Sequence, residues 1–165
     1  MKIFCIAAIT ADGFIARDDR QAAMWTSKAD KTFFREMTKK AGVIVMGSKT
    51  FETIGSALPD RRNIILSRTK TYDVAGVETS SESPTDLVAR LEKEGVKELA
   101  ICGGSAIYTA FLKAGLVSTL YITVESLLFG SGVTLFNENL DMKIALKEAR
   151  PIGDGAVVLQ YDVIQ

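Results

Sequence analysis

Apolar residues along this chain fall in short runs separated by polar breaks, and the period within each run alternates between strand-like and helix-like. Ile3 to Ala11 is apolar at nearly every position, as in a strand buried on both faces. Asp12-Gly13 breaks the run, and Arg17-Asp18-Asp19-Arg20 predicts a surface loop. Ser27, with Asp30 three residues on, predicts a helix start resembling a capping box. Phe33, Phe34, Met37 and Ala41 then share one helical face, and Gly42 ends the helix. Val43 to Met46 is a second buried strand, and Gly47-Ser48-Lys49-Thr50 opens a short helix through Phe51 and Ile54. A turn at Ala57-Leu58-Pro59-Asp60 leads into a strand from Asn63 to Leu66 that ends at Ser67. Ser83-Pro84-Thr85-Asp86 combines a capping serine, a proline at the first helical position and an acid in the first turn; Leu87, Val88 and Leu91 give that helix its apolar face, and Gly95 its stop. Leu99 to Cys102 is a strand, Gly103-Gly104 leads into a helix from Ser105 to Ala114, and Leu120 to Val124 is a strand again. Ile144 to Ala149 and Val157 to Val163 flank Gly153-Asp154-Gly155, which reads as an antiparallel hairpin.

This alternation predicts an α/β fold: a mostly parallel central sheet, helices on both faces, and a C-terminal antiparallel hairpin at one edge. With 165 residues the expectation is one domain over the whole chain. Lysine plus arginine and aspartate plus glutamate number 20 each, so there is no general electrostatic pull toward nucleic acid or an anionic membrane. No apolar stretch has the ~20 residues of a membrane span. The N-terminal run closes in a turn rather than a cleavage site, and a cytoplasmic location is expected.

Composition also limits the chemistry. The chain has no histidine, which removes Ser-His-Asp and Cys-His catalysis and histidine-ligated zinc. Cys5 and Cys102 cannot make a four-cysteine zinc site, and both lie in apolar runs suited to buried free thiols. No metal is expected.

Two strand-to-helix turns could hold a phosphate. At Gly103-Gly104-Ser105 glycines permit close backbone approach, and a helix N-terminus presents free N–H groups; a tight turn with no ligand is the plainer reading. The three-glycine dinucleotide fingerprint is missing there. Gly42 and Gly47 have the glycine spacing of a P-loop, but Lys49 does not follow the second glycine and strand residues fill the gap. What survives is a helix start carrying a hydroxyl and a cation. Asp30, among Trp25, Phe33 and Phe34, is either a helix-capping acid or a partly buried carboxylate able to bind an amidine-like group through two parallel hydrogen bonds. Arg61, fixed by a rigid turn, could clamp a carboxylate; Arg62 reads as a solvated turn residue. Trp25, Phe34 and Phe129 read as core or wall residues.

Together these pieces resemble the dihydrofolate reductase family over roughly Ile3 to Asp162. The resemblance is carried by Ile6-Ala7-Ala8 with Asp12, by Trp25 with Asp30 and Phe34, by Val45 to Gly55 with Leu58 to Ser67, and by Gly103 to Tyr108 with Leu120 to Thr123. It implies NADPH as cofactor and dihydrofolate as a small-molecule substrate, handled by a monomer rather than a dimer. Asp30 would bind the pterin and promote its protonation. Ile6, Ala8, Phe34, Ile54 and Leu58 would wall the substrate, Trp25 would bound the cavity, and Thr123 would hydrogen-bond Asp30 and a water. Arg61 would grip the α-carboxylate of the glutamate tail. Ala8, Ile15 and Cys102 would lie by the nicotinamide. Thr50 and the turn Gly103, Gly104, Ser105, Ala106, Ile107, with Tyr108 behind it, would hold the pyrophosphate, with Ser67 and Arg68 near the adenosine ribose. Ser48 and Ala106 stand where many members carry basic residues, so Lys49 and Arg68 are left to supply charge. The loop from Ala16 to Met24 lacks the proline usual before the tryptophan, and Phe129 to Phe136 lacks the acid usual in that loop. Gly-x-x-Leu-Phe in this last stretch and Trp-Thr-Ser before Asp30 also resemble the riboflavin-pathway reductase domain. That domain reduces the ribosyl group of a pyrimidine phosphate, and a non-catalytic nucleotide-binding module is a third reading.

Overall fold

An eight-stranded sheet in the order β5-β4-β3-β6-β1-β7-β10-β9 forms the centre of the computed structural model, which describes residues 1–21 and 23–164. The strands are β1 (Lys2–Thr10), β3 (Val43–Gly47), β4 (Arg62–Leu66), β5 (Val77–Ser80), β6 (Glu98–Ile101), β7 (Thr119–Glu125), β9 (Lys143–Gly153) and β10 (Ala156–Ile164). All neighbours from β5 to β7 are parallel; β10 runs antiparallel to both β7 and β9, so the predicted hairpin closes one edge. Among the described residues four α-helices complete the alternation: α1 (Lys28–Ala41), α2 (Ser48–Ile54), α3 (Pro84–Lys93) and α4 (Ser105–Lys113).

Strand alternation divides the core into two layers. Ile3, Cys5, Ala7, Val45 and Leu99 face α3 and α4, where they meet Leu87, Leu91 and Phe111. Phe4, Ile6, Ile44 and Met46 point the other way, against Phe33, Phe34 and Met37 of α1 and Phe51 of α2. The helices therefore cover both faces, as the apolar runs require, because strands with two apolar faces need two layers of cover. Helix ends follow the predicted punctuation. The Ser27 and Ser83 hydroxyls accept from the amides of Asp30 and Asp86, and Gly42 closes α1 in the left-handed region.

The pattern of apolar residues missed two features. Strand β5 has one buried residue, Ser80, and so shows no alternation to read; its assignment comes from parallel pairing with β4. A small second sheet, β2 (Phe14–Ala16) with β8 (Val133–Thr134), is too short for any periodicity. Arg62 also differs from its reading as a solvated turn residue. It begins β4 and is ion-paired with Glu78 and Glu94, while Arg90 of α3 pairs with Glu78, Glu82 and Glu94, so the network ties α3 to the sheet edge. Among the described residues no helix is long and apolar enough to cross a membrane.

Candidate active site

Asp30 is the third residue of α1 and is buried at 8% exposure. In a complete capping box its carboxylate would reach back to the Ser27 amide. Here that amide, at 2.9 Å, and the Ser27 hydroxyl, at 2.7 Å, both donate to Oε1 of Glu125 on β7. A second amide at this helix start, Ala29 N–H, is taken by Asp154 in the β9–β10 turn at 3.0 Å. Only the Asp30 backbone serves the cap, donating to Ser27 Oγ at 3.1 Å. Its carboxylate faces the hydroxyls of Thr123 and Thr26, which lower its pKa, but burial raises it more and the Glu125 charge adds to the rise. The net shift is upward from the ordinary carboxylate value. Lys31 does not pair with it; its ammonium donates to the Thr26 carbonyl and hydroxyl.

Thr123 is buried on β7, on the face it shares with Tyr121 and Glu125. Tyr121 meets the Phe33 ring of α1 at 6.0 Å, so this face looks at α1. The Thr123 hydroxyl completes no hydrogen bond of ordinary geometry among the described residues. Ala8 is register neighbour to Thr123, and Ile6 to Tyr121, so both predicted wall residues lie beside it. Phe34 and Leu58 are half-buried against the same layer, while Ile54, the last residue of α2, is 39% exposed.

Arg61 sits at the far end of this row. Its Nε donates to the Pro59 carbonyl and its Nη1 to Thr38 Oγ1, each at 2.8 Å. The adjacent Asp60 is engaged by Lys39 at 2.7 Å. Arg61 is therefore held by two neutral oxygens, with no ion pair among the described residues.

The two strand-to-helix turns abut. Gly47 N–H donates to the Gly103 carbonyl at 2.8 Å, and Cys102 N–H to the Val45 carbonyl at 2.8 Å. A Cβ on Gly104 would stand 3.4 Å from Thr50 Oγ1, and one on Gly47 3.0 Å from Ile107 Cγ1. Thr50, Gly103, Gly104 and Ile107 thus come together, with Ser105 and Ala106 in the first turn of α4, where helix amides lack intrahelical acceptors. Tyr108 lies beneath, buried, its hydroxyl donating to the Ile6 carbonyl at 2.7 Å, so its contribution is to support the glycine turn. Ser67 Oγ accepts the amides of Thr69 and Lys70, and Arg68 beside it is exposed. Lys49 pairs with Asp19 at 2.8 Å beside an open depression of about 350 Å³ that Arg20, Glu52, Thr53 and Lys70 also line. Cys102 is buried and free, and burial pushes its thiol up to about 12.

One flank is closed by loops. Trp25 Nε1 donates to the Ile15 carbonyl at 3.2 Å, and its ring meets Phe129 edge-on at 5.1 Å. The Arg17 guanidinium lies 4.2 Å from the centre of the Phe129 ring. Asp12 accepts from the amides of Phe129 and Gly130 at 3.1 and 2.7 Å, which ties the turn after β1 to the 129–136 loop. The predicted loop from Ala16 to Met24 includes Ala22, which lies outside the described residues.

The sequence reading missed Glu125, Asp154, Thr26 and Thr38. Glu125 had a usable signal, since it lies two positions beyond Thr123 on a strand and therefore shares its face.

The match that decides the family covers residues 2–148, which fit the family model described as dihydrofolate reductase. The chain belongs to the dihydrofolate reductase family. It is accordingly an oxidoreductase. Over 123 residues it is 34% identical to the dihydrofolate reductase type 3 of Salmonella typhimurium, covering 74% of this chain and 71% of that one. Among solved structures it resembles a putative riboflavin biosynthesis protein from Shewanella (TM-score 0.82, 22% identity, all of both chains). It also resembles the Enterococcus faecalis dihydrofolate reductase in complex with NADP(H) (TM-score 0.76, 24% identity, 99% of this chain and 97% of that one). At those identities the structural likeness speaks for the fold.

Proposed function

We propose that this chain reduces 7,8-dihydrofolate to 5,6,7,8-tetrahydrofolate with NADPH. The observation that carries the reading is the Asp30 carboxyl: buried, raised in pKa, relieved of capping, and faced by the buried Thr123 hydroxyl. A pterin offers an adjacent ring N–H and amino group, which a carboxylate can accept as two parallel bonds. Reduction of the C6–N5 bond takes a hydride at C6 and a proton at N5, and needs neither a nucleophile nor a metal. Lacking histidine therefore costs this mechanism nothing.

The residues at the paired turns fit a dinucleotide. Thr50 and the start of α4 would take the pyrophosphate, Ser67 and Arg68 the adenosine ribose, and Ala8, Ile15 and Cys102 the nicotinamide. When bound, the reduced nicotinamide supplies the hydride. The chain stacks the reacting rings and excludes water with Ile6, Ala8, Phe34 and Leu58. Asp30 holds the pterin edge, and burial, by disfavouring its charged form, raises its affinity for the proton that N5 must receive. Arg61 orients the far end of the substrate through the glutamate α-carboxylate. Trp25, pinned to Ile15 and Phe129, closes the flank.

The test is loss of reduced-nicotinamide absorbance with purified protein and dihydrofolate, run beside a ribosylamino-pyrimidine phosphate. Turnover of dihydrofolate that disappears in Asp30→Asn is the expected result. Turnover of the pyrimidine alone would move the chain to the riboflavin-type reaction, and NADPH binding with neither turnover would make it a binding module.

A further inference from the structure

Glu125 is a second buried acid at this site, 4% exposed, and the proposed chemistry gives it no task. Its Oε1 accepts both the amide and the hydroxyl of Ser27, 98 positions away in the chain. Those two donors open α1. Without Glu125, the capping-box acceptor for the Ser27 amide would be the carboxylate of the third helical residue, which is Asp30. An Asp30 turned back to the cap would face away from the slot lined by Ala8 and Thr123.

We propose that Glu125 is the positioning residue for Asp30: by occupying the Ser27 amide and hydroxyl it leaves the Asp30 carboxyl facing the substrate slot, with a second negative charge fixed beside it. The inference rests on Asp30 being the group that binds the pterin. Strand β7 sets the arrangement, since Thr123 and Glu125 project from one face, the first toward the Asp30 carboxyl and the second to the helix cap. The charged and titratable groups around Asp30 are Glu125 from β7, Lys31 on its own helix, Tyr108 from α4 and Asp154 on the Ala29 amide. Lys31 is tied to Thr26 and Tyr108 to the Ile6 carbonyl. Glu125 is the anion whose field raises the proton affinity of Asp30, in the same direction as burial.

Two substitutions separate geometry from charge. Glu125→Gln keeps an oxygen for both Ser27 donors and removes the charge. Glu125→Ala removes both. In Glu125→Gln the pH at which the hydride step falls should move down, and the carboxyl carbon resonance of Asp30 in the free protein should titrate at lower pH by the same amount. Glu125→Ala should lose on the order of tenfold to a hundredfold in kcat, because a misaimed Asp30 costs orientation, with much of the loss restored in Glu125→Gln at low pH. A Glu125→Gln profile and resonance that coincide with wild type would overturn the electrostatic part, and an unchanged kcat in folded Glu125→Ala would overturn the positioning part. The Asp30 resonance is read without turnover, so it tests Glu125 even where dihydrofolate is not reduced. Full activity of Asp30→Asn would instead remove the reading on which the inference rests.

Discussion

Arg61 is bound to Thr38 rather than to an acid. The Thr38 hydroxyl accepts from Arg61 Nη1 at 2.8 Å and donates to the Phe34 carbonyl at 2.7 Å, so one buried threonine links the cation to the helix carrying Phe34 and Asp30. Its neighbour Arg62 has the opposite fate, paired with Glu78 and Glu94. Two adjacent arginines thus divide into one available charge and one structural charge.

Removal of the available charge should show in substrate affinity. Arg61→Ala should raise the KM for dihydrofolate by on the order of tenfold to a hundredfold, the worth of a charge-assisted pair, with kcat changed much less. A dihydropteroate analogue without the glutamate tail should bind wild type and variant alike. Arg62→Ala should leave KM unchanged and lower thermal stability modestly, since its ion pairs are about a third exposed and solvent screens them.

Asp30 should give opposite signs in activity and stability. Its pKa is raised in the folded protein, so its contribution to stability is fully present below the ordinary value of 3.8 and is lost as pH rises through the folded value. Asp30→Asn should therefore melt higher than wild type at neutral pH, with the gain vanishing toward acid pH, while the hydride step is abolished. Melting curves at several pH values check the first part and single-turnover kinetics the second. In wild type, the isolated hydride step should slow as pH rises through the elevated Asp30 pKa.

Arg68 is exposed beside Ser67. If it meets the 2′-phosphate of the cofactor, Arg68→Ala should raise KM for NADPH and leave NADH untouched. Equal effects on the two cofactors would remove Arg68 from that role.

Gly103 combines a φ of 108° with close packing over Tyr108, where a Cβ would stand 3.1 Å from the phenolic oxygen. Gly103→Ala should cost about 1–3 kcal/mol in unfolding free energy and weaken cofactor binding together with stability. Calorimetric melts with and without NADPH would show both.

Much of this molecule could be read from local pattern. The central strands β1, β3, β4, β6 and β7 lie largely buried on both faces, so their apolar runs announced them, and Ser27, Gly42, Ser83 and Gly95 marked helix ends through chemistry confined to a few neighbouring residues. The motif residues Asp30, Arg61 and Gly103-Gly104 could be picked out because their types and spacing are themselves the signal. Strand β5, the β2–β8 ladder, the Thr38 anchor of Arg61 and the Glu125 cap of α1 were not readable this way. Each depends on which residues of distant segments are brought opposite one another. Sheet register places Glu125 under Ser27, and packing of the Pro59 turn against α1 places Arg61 on Thr38. Hydrogen bonds of that kind leave no period in the chain, because neither partner carries a mark of the other until the sheet has assembled.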